Sequence, residues 1–178
     1  MWRPHERLLS GMHPAKKDLR MFFCNLTVTQ DCSNLMHQLL ECLSLALNLG
    51  LQDALSQHHT NLPFTLDLIH YPAISINSLR SGECVRCPAH SDFGTLTLLF
   101  QDSTGGLEIA DMSSTTKETS AGVERTARFL HIDPIPGTIV VNVGYLLMRW
   151  SNGRWRSAVH RVSEPPSKRE SEEVLELA

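Results

Sequence analysis

The sequence predicts a mainly β domain, a sandwich or barrel, with one amphipathic helix packed beside it. Three observations point there. Only one stretch repeats its apolar residues at helical spacing. After it the period changes to short runs rich in β-formers. Turn residues then separate most of those runs.

The helix is expected from Ser33, where Leu35, Leu39, Leu43, Ala46, Leu47 and Leu49 share one face. A Ser or Asp can cap its start, and Gly50 can stop it. Strands are expected at Thr65–Tyr71, Thr95–Phe100, Leu107–Ala110, Ala127–Ile132, Thr138–Val143 and Trp155–Val162. Gly105-Gly106 separates the second from the third. The Asn152-Gly153 pair favours a tight hairpin before the last. Residues 112–125, rich in Ser, Thr and Glu, read as a mobile surface loop. The end of the chain is acidic and short of β-formers, so no convincing last strand is expected there. Three parts result: an N-terminal helical segment over 1–59, a β core over 60–166 and an acidic tail over 167–178.

With 178 residues the chain suits a single core. A net charge of -3 with scattered basic residues gives no footing for nucleic acid or a membrane surface. No apolar run is long enough to span a bilayer, and the amino end does not read as a signal peptide. Five cysteines, an odd number, suit free thiols in a reducing cytoplasm. The expected partners are therefore small molecules.

The chemistry concentrates in Pro88-Ala-His-Ser-Asp-Phe-Gly-Thr-Leu-Thr-Leu-Leu-Phe100. In an extended segment His90 and Asp92 point to the same side. His160, inside Ser157-Ala-Val-His-Arg-Val162, is the natural third member, on the second arm of the expected hairpin. Two imidazoles and a carboxylate leave coordination positions open. That set suits non-haem Fe(II), although a catalytic zinc could use similar ligands. His131 and Asp133 form a second His-x-Asp, and spacing alone would let them pair with His160.

Four blocks, residues 70–72, 88–109, 136–144 and 146–162, closely resemble the 2-oxoglutarate- and Fe(II)-dependent oxygenases of the isopenicillin N synthase-like superfamily. The resemblance implies a double-stranded β-helix, or jelly roll, incomplete at both ends in this chain. It implies that His90, Asp92 and His160 are the iron ligands, with 2-oxoglutarate as cosubstrate and molecular oxygen as oxidant. It also sets the second His-x-Asp aside, because only the first continues as the family block. The expected activity is hydroxylation, desaturation or ring formation on a small organic metabolite. The family holds the far carboxylate of 2-oxoglutarate with an Arg-x-Ser, which Arg169 and Ser171 match. Tyr71 is a further candidate contact to it.

The chain departs from the family pattern at Tyr145, where Asn-x-Gly-Asp is usual, and at Ile69, where many members place an asparagine. Two other readings stand beside this one. Cys84 and Cys87, with His90, approach zinc-knuckle spacing but lack a fourth ligand. A truncated, non-catalytic jelly roll is the other. No Gly-x-Ser-x-Gly elbow and no phosphate-binding glycine loop is present.

Overall fold

A computed structural model describes residues 26–59, 65–72, 74–165 and 174–177. The chain divides into two compact units, residues 1–64 and 65–178.

In the first unit, helix α1 runs Leu26–Ala46 and a 3-10 turn covers Ser56–His59. The helix starts seven residues before Ser33, and its buried seam, Met36, Leu40 and Ser44, is continued by Leu47 in the turn just past its end. Leu35, Leu39 and Leu43 flank that seam half-buried. Ser44 can occupy the core because its hydroxyl donates to the Leu40 carbonyl and accepts from the Leu55 amide, at 2.8 and 3.1 Å. The stop is Asn48 rather than Gly50. Asn48 adopts φ 56°, and its amide and that of Leu49 return to the carbonyls of Leu45 and Ser44.

The second unit is built from antiparallel pairs. Its strands are β1 (Leu68–Tyr71), β2 (Cys87–His90), β3 (Leu96–Leu99), β4 (Leu107–Asp111), β5 (Arg128–His131), β6 (Val140–Val143), β7 (His160–Val162) and β8 (Val174–Leu177). They form a four-stranded sheet ordered β2-β7-β4-β5 and two ribbons, β3-β6 and β1-β8. Helix α2 (Ile76–Arg80) follows β1, α3 (Ser120–Thr126) precedes β5 and α4 (Tyr145–Trp150) follows β6.

Four expectations need correction. Residues 112–125 are not an unstructured loop, because a 3-10 turn at Met112–Ser114 is followed by α3. The Thr119 hydroxyl caps that helix, and Val123, with no exposed surface, joins Ala89, Ala110 and Val159 in a core cluster. Asn152-Gly153 does not turn a hairpin. Residues 145–150 are helical around the fully buried Leu147, and Asn152 (φ 53°) and Gly153 (φ 74°) stop the helix just as Asn48 stops α1. His160 therefore arrives from a helix and a connecting segment, not from a hairpin arm. Finally, the acidic end supplies β8, which pairs with β1 from Leu68↔Leu177 to Tyr71↔Val174.

Candidate metal centre

The site forms because strands far apart in sequence become neighbours. β2 and β7 pair so that His90 lies directly opposite His160. In an antiparallel sheet such partners present side chains on the same face, and the two ring centroids are 4.4 Å apart. Each imidazole is fixed through Nδ1. His90 Nδ1 lies 3.0 Å from the Pro88 carbonyl and His160 Nδ1 lies 3.1 Å from the Ala158 carbonyl. That contact selects the tautomer protonated at Nδ1 and leaves Nε2 as the outward lone pair.

Asp92 completes the group. Its Oδ1 is 3.7 Å from both histidine Nε2 atoms. Its Oδ2 accepts from Thr97 Oγ1 at 2.6 Å and Asn142 Nδ2 at 2.7 Å. These two donors face each other across β3 and β6, because Thr97 pairs with Asn142 in the register. One carboxylate oxygen is thereby anchored and the other is turned toward the imidazoles.

The loop carrying Asp92 is fastened by the start of α4. The Tyr145 amide donates to the Asp92 carbonyl at 2.7 Å, and the Leu146 amide to that of Gly94 at 3.0 Å. Gly144 allows this approach: a Cβ there would collide with the Gly94 carbonyl oxygen. Tyr145, where the family usually has aspartate, thus acts here through its backbone.

Burial works to raise the Asp92 pKa, but the bonds from Asn142 and Thr97 and the adjoining imidazoles lower it below the ordinary carboxylate value. His90 moves the other way, to about 9. Its contact with Cys87 raises it most; burial opposes this, and the Pro88 carbonyl and Asp92 add to the rise. Cys87 Sγ lies 3.6 Å from His90 Nδ1.

The ligand atoms of His90, Asp92 and His160 lie within 4.8 Å of one another, the only such group of three among the described residues. Borderline nitrogen and hard oxygen donors, with the remaining directions left open, fit a divalent iron. Cys84 and Cys87 enter no such group. His131 lies on β5, separated from β7 by β4, and binds Glu108 at 3.3 Å. Tyr71 is buried against Val162, with Ile69 and Cys87 beside it. Arg169 and Ser171 lie outside the described residues. Sequence reasoning did not single out Thr97 and Asn142 as supports of Asp92. Their position inside strands flanking the site was the available signal.

An antiparallel β fold holding a two-histidine, one-carboxylate centre defines a class of metal-dependent oxygenase. Residues 65–172 match the 2OG-Fe(II) oxygenase superfamily, and the chain belongs to that family. Iron(II) and 2-oxoglutarate are the metal and cosubstrate that the family's description names. The chain is 44% identical over 145 residues to the 2-oxoglutarate-dependent dioxygenase gloF of Glarea lozoyensis, covering 81% of this chain and 40% of the relative. It is 46% identical over 101 residues to the proline hydroxylase buaE of Petromyces alliaceus, covering 56% of this chain and 28% of that one. A full-length Neurospora crassa protein, solved in complex with alpha-KG and 5-formyluracil, superposes with a TM-score of 0.65 at 30% identity, over 85% of this chain and 45% of its own. The expected jelly roll is the fold of these structures. The chain spans about 40% of the length of its curated relatives. No helix among the described residues is long and apolar enough to cross a membrane.

Proposed function

We propose that this chain carries the iron centre of a 2-oxoglutarate-dependent oxidation of a small organic molecule, with hydroxylation, desaturation or ring formation as the outcome. The convergence of His90, Asp92 and His160 on one point carries the reading. The two histidines present Nε2 while the Pro88 and Ala158 carbonyls hold their Nδ1 protons. Asp92 offers Oδ1 while Thr97 and Asn142 prevent its carboxylate from rotating. Fe(II) held there supplies oxygen activation coupled to oxidative decarboxylation of 2-oxoglutarate. Tyr71 would sit at the cosubstrate end, and Arg169 with Ser171 would clamp its far carboxylate, as an arginine fork does.

The catalytic core in this reading begins at residue 60, after the helical segment 1–59, and takes in β8 at Val174–Leu177. Residence in the cytoplasm is supported by the free thiols of Cys32, Cys42, Cys84 and Cys87.

Anaerobic titration of the whole chain with Fe(II) and 2-oxoglutarate tests the reading through the visible charge-transfer band of the chelate. The band should form with the unaltered chain and disappear in His90→Ala. A folded chain that gives no band would overturn it.

A further inference from the structure

One cross-strand row runs outward from the metal ligands along the four-stranded sheet. His90 faces His160, His160 faces Ile109 and Ile109 faces Leu130. Neighbours in such a row share a face, so Ile109 and Leu130 extend the surface that presents the two imidazoles. The alternate residues Ala89, Val159, Ala110 and Phe129 pack with Val123 of α3 on the opposite face. On the metal-bearing face the outer strand stays open, and Leu130 is 44% exposed.

The next row on that face is polar. Asp92 lies two residues past His90, and the antiparallel order places Asp111 past Ile109 and Arg128 past Leu130 in the same direction. Because Asp92 Oδ1 lies 3.7 Å from both Nε2 atoms, the metal position is displaced toward this row. Asp111 and Arg128 are register partners, and Arg128 Nη2 donates to Asp111 Oδ2 at 2.7 Å. The other oxygen of Asp111 accepts from the amide and hydroxyl of Ser113 at 3.0 and 2.6 Å. Ser114 closes the clasp: its hydroxyl donates to the Asp111 carbonyl and accepts from the Arg128 amide. With both carboxylate oxygens bonded, the pair offers solvent the donors of Arg128, whose side chain is 69% exposed. A guanidinium steadied by one carboxylate still has N–H groups in a fixed plane for a second.

We propose that Arg128 fixes the carboxylate of a small organic acid substrate, whose apolar body lies over Leu130 and Ile109 toward the metal. Two strand spacings, about 10 Å, separate β5 from β7, so the reacting carbon stands several bonds from the acid group. An ammonium is disfavoured at that end, since both Asp111 oxygens are already bonded. The part of Arg128 in turnover rests on the oxygenase reading above; its capture of an acid does not.

Hexanoate is the probe, with hexanamide and acetate as controls. The metal-free full chain is titrated with each, following amide chemical shifts. Hexanoate should bind most tightly and move the amides of Ile109, Arg128 and Leu130. Arg128→Gln should weaken hexanoate by about tenfold or more, and Arg128→Lys should recover part of the loss. Leu130→Ala should narrow the advantage of hexanoate over acetate. Equal binding of hexanoate and hexanamide, or unchanged hexanoate affinity in folded Arg128→Gln, would overturn the assignment. Comparing acid with amide decides the matter even if Arg128→Gln does not fold. Co(II) then gives the direction, through its relaxation of the bound probe. The methyl end should relax fastest; fastest relaxation beside the carboxylate would put the acid on the metal, no relaxation would put it elsewhere, and either refutes the substrate role. Saturating 2-oxoglutarate should leave hexanoate in place, whereas expulsion would give Arg128 to the cosubstrate and sink the proposal. A missing iron charge-transfer band would sink the oxygenase reading alone and leave the hexanoate result standing.

Discussion

His90 carries the proton that a metal ion has to displace. With its pKa at about 9 in the metal-free protein, the imidazole is mostly charged at neutral pH. Only the neutral ring is a ligand. Metal affinity should therefore rise about tenfold per pH unit from neutrality toward 9 and level off above it, with close to one proton released from His90 per ion bound at neutral pH. The stability of the metal-free fold runs in the opposite direction. A raised folded pKa favours the native state below the ordinary value of 6.5, and that gain fades as pH climbs through about 9. Cys87→Ala removes the largest contribution to the rise. It should tighten Co(II) binding at neutral pH and move the plateau to lower pH. Calorimetric titrations in two buffers of different ionisation enthalpy measure both quantities, and an affinity indifferent to pH would refute the account.

The element that orients the ligands is the β3-β6 ribbon, which contributes none of them. Thr97→Val and Asn142→Ala each remove one of the two donors to Asp92 Oδ2. Each should cost roughly 10- to 100-fold in metal affinity, while thermal stability changes little. Gly144→Ala should behave differently. The new Cβ meets the Gly94 backbone, so affinity and melting temperature should fall together, by about 1–3 kcal/mol of stability. Metal titration beside thermal melts separates the two patterns.

The ribbon also shows what the sequence makes legible. His90 can be placed from the period of a strand, because alternation depends only on local geometry, whereas Asp92 lies on the loop just past the end of β2. Thr97 and Asn142 cannot be placed that way, since their meeting depends on a register between segments about 45 residues apart in the chain. Asn152-Gly153 misleads for a related reason: positive φ suits a hairpin turn and a helix stop equally. The apolar pattern over six preceding residues was too brief to choose between them. The strand Val174–Leu177 is hidden by acidic residues that a paired edge tolerates.

Across the second unit, the long-range pairings separate into two groups. β1 meets β8, joining the start of the unit to its end, whereas β2 meets β7 and β3 meets β6 within it. The metal ligands lie within this inner group, His90 on β2, His160 on β7 and Asp92 on the loop between β2 and β3. Truncation after Pro165 should therefore leave β1 without its partner. Amide hydrogens at 69–71 should exchange faster, while Co(II) still binds. Loss of Co(II) binding in the truncated chain would show that the site depends on the outer ribbon. Pairings this distant in sequence also imply slow folding, on the scale of milliseconds to seconds.

The direct opposition of His90 and His160 has a mechanical consequence. An ion shared by the two rings is a rivet between strands with about seventy residues of chain between them. Pulled from its ends, the loaded molecule would yield in two steps. The flanking chain would lengthen first, and the riveted loop would then release a further hidden length of roughly 230–250 Å when the ion lets go. Without the ion, those lengths should come free together.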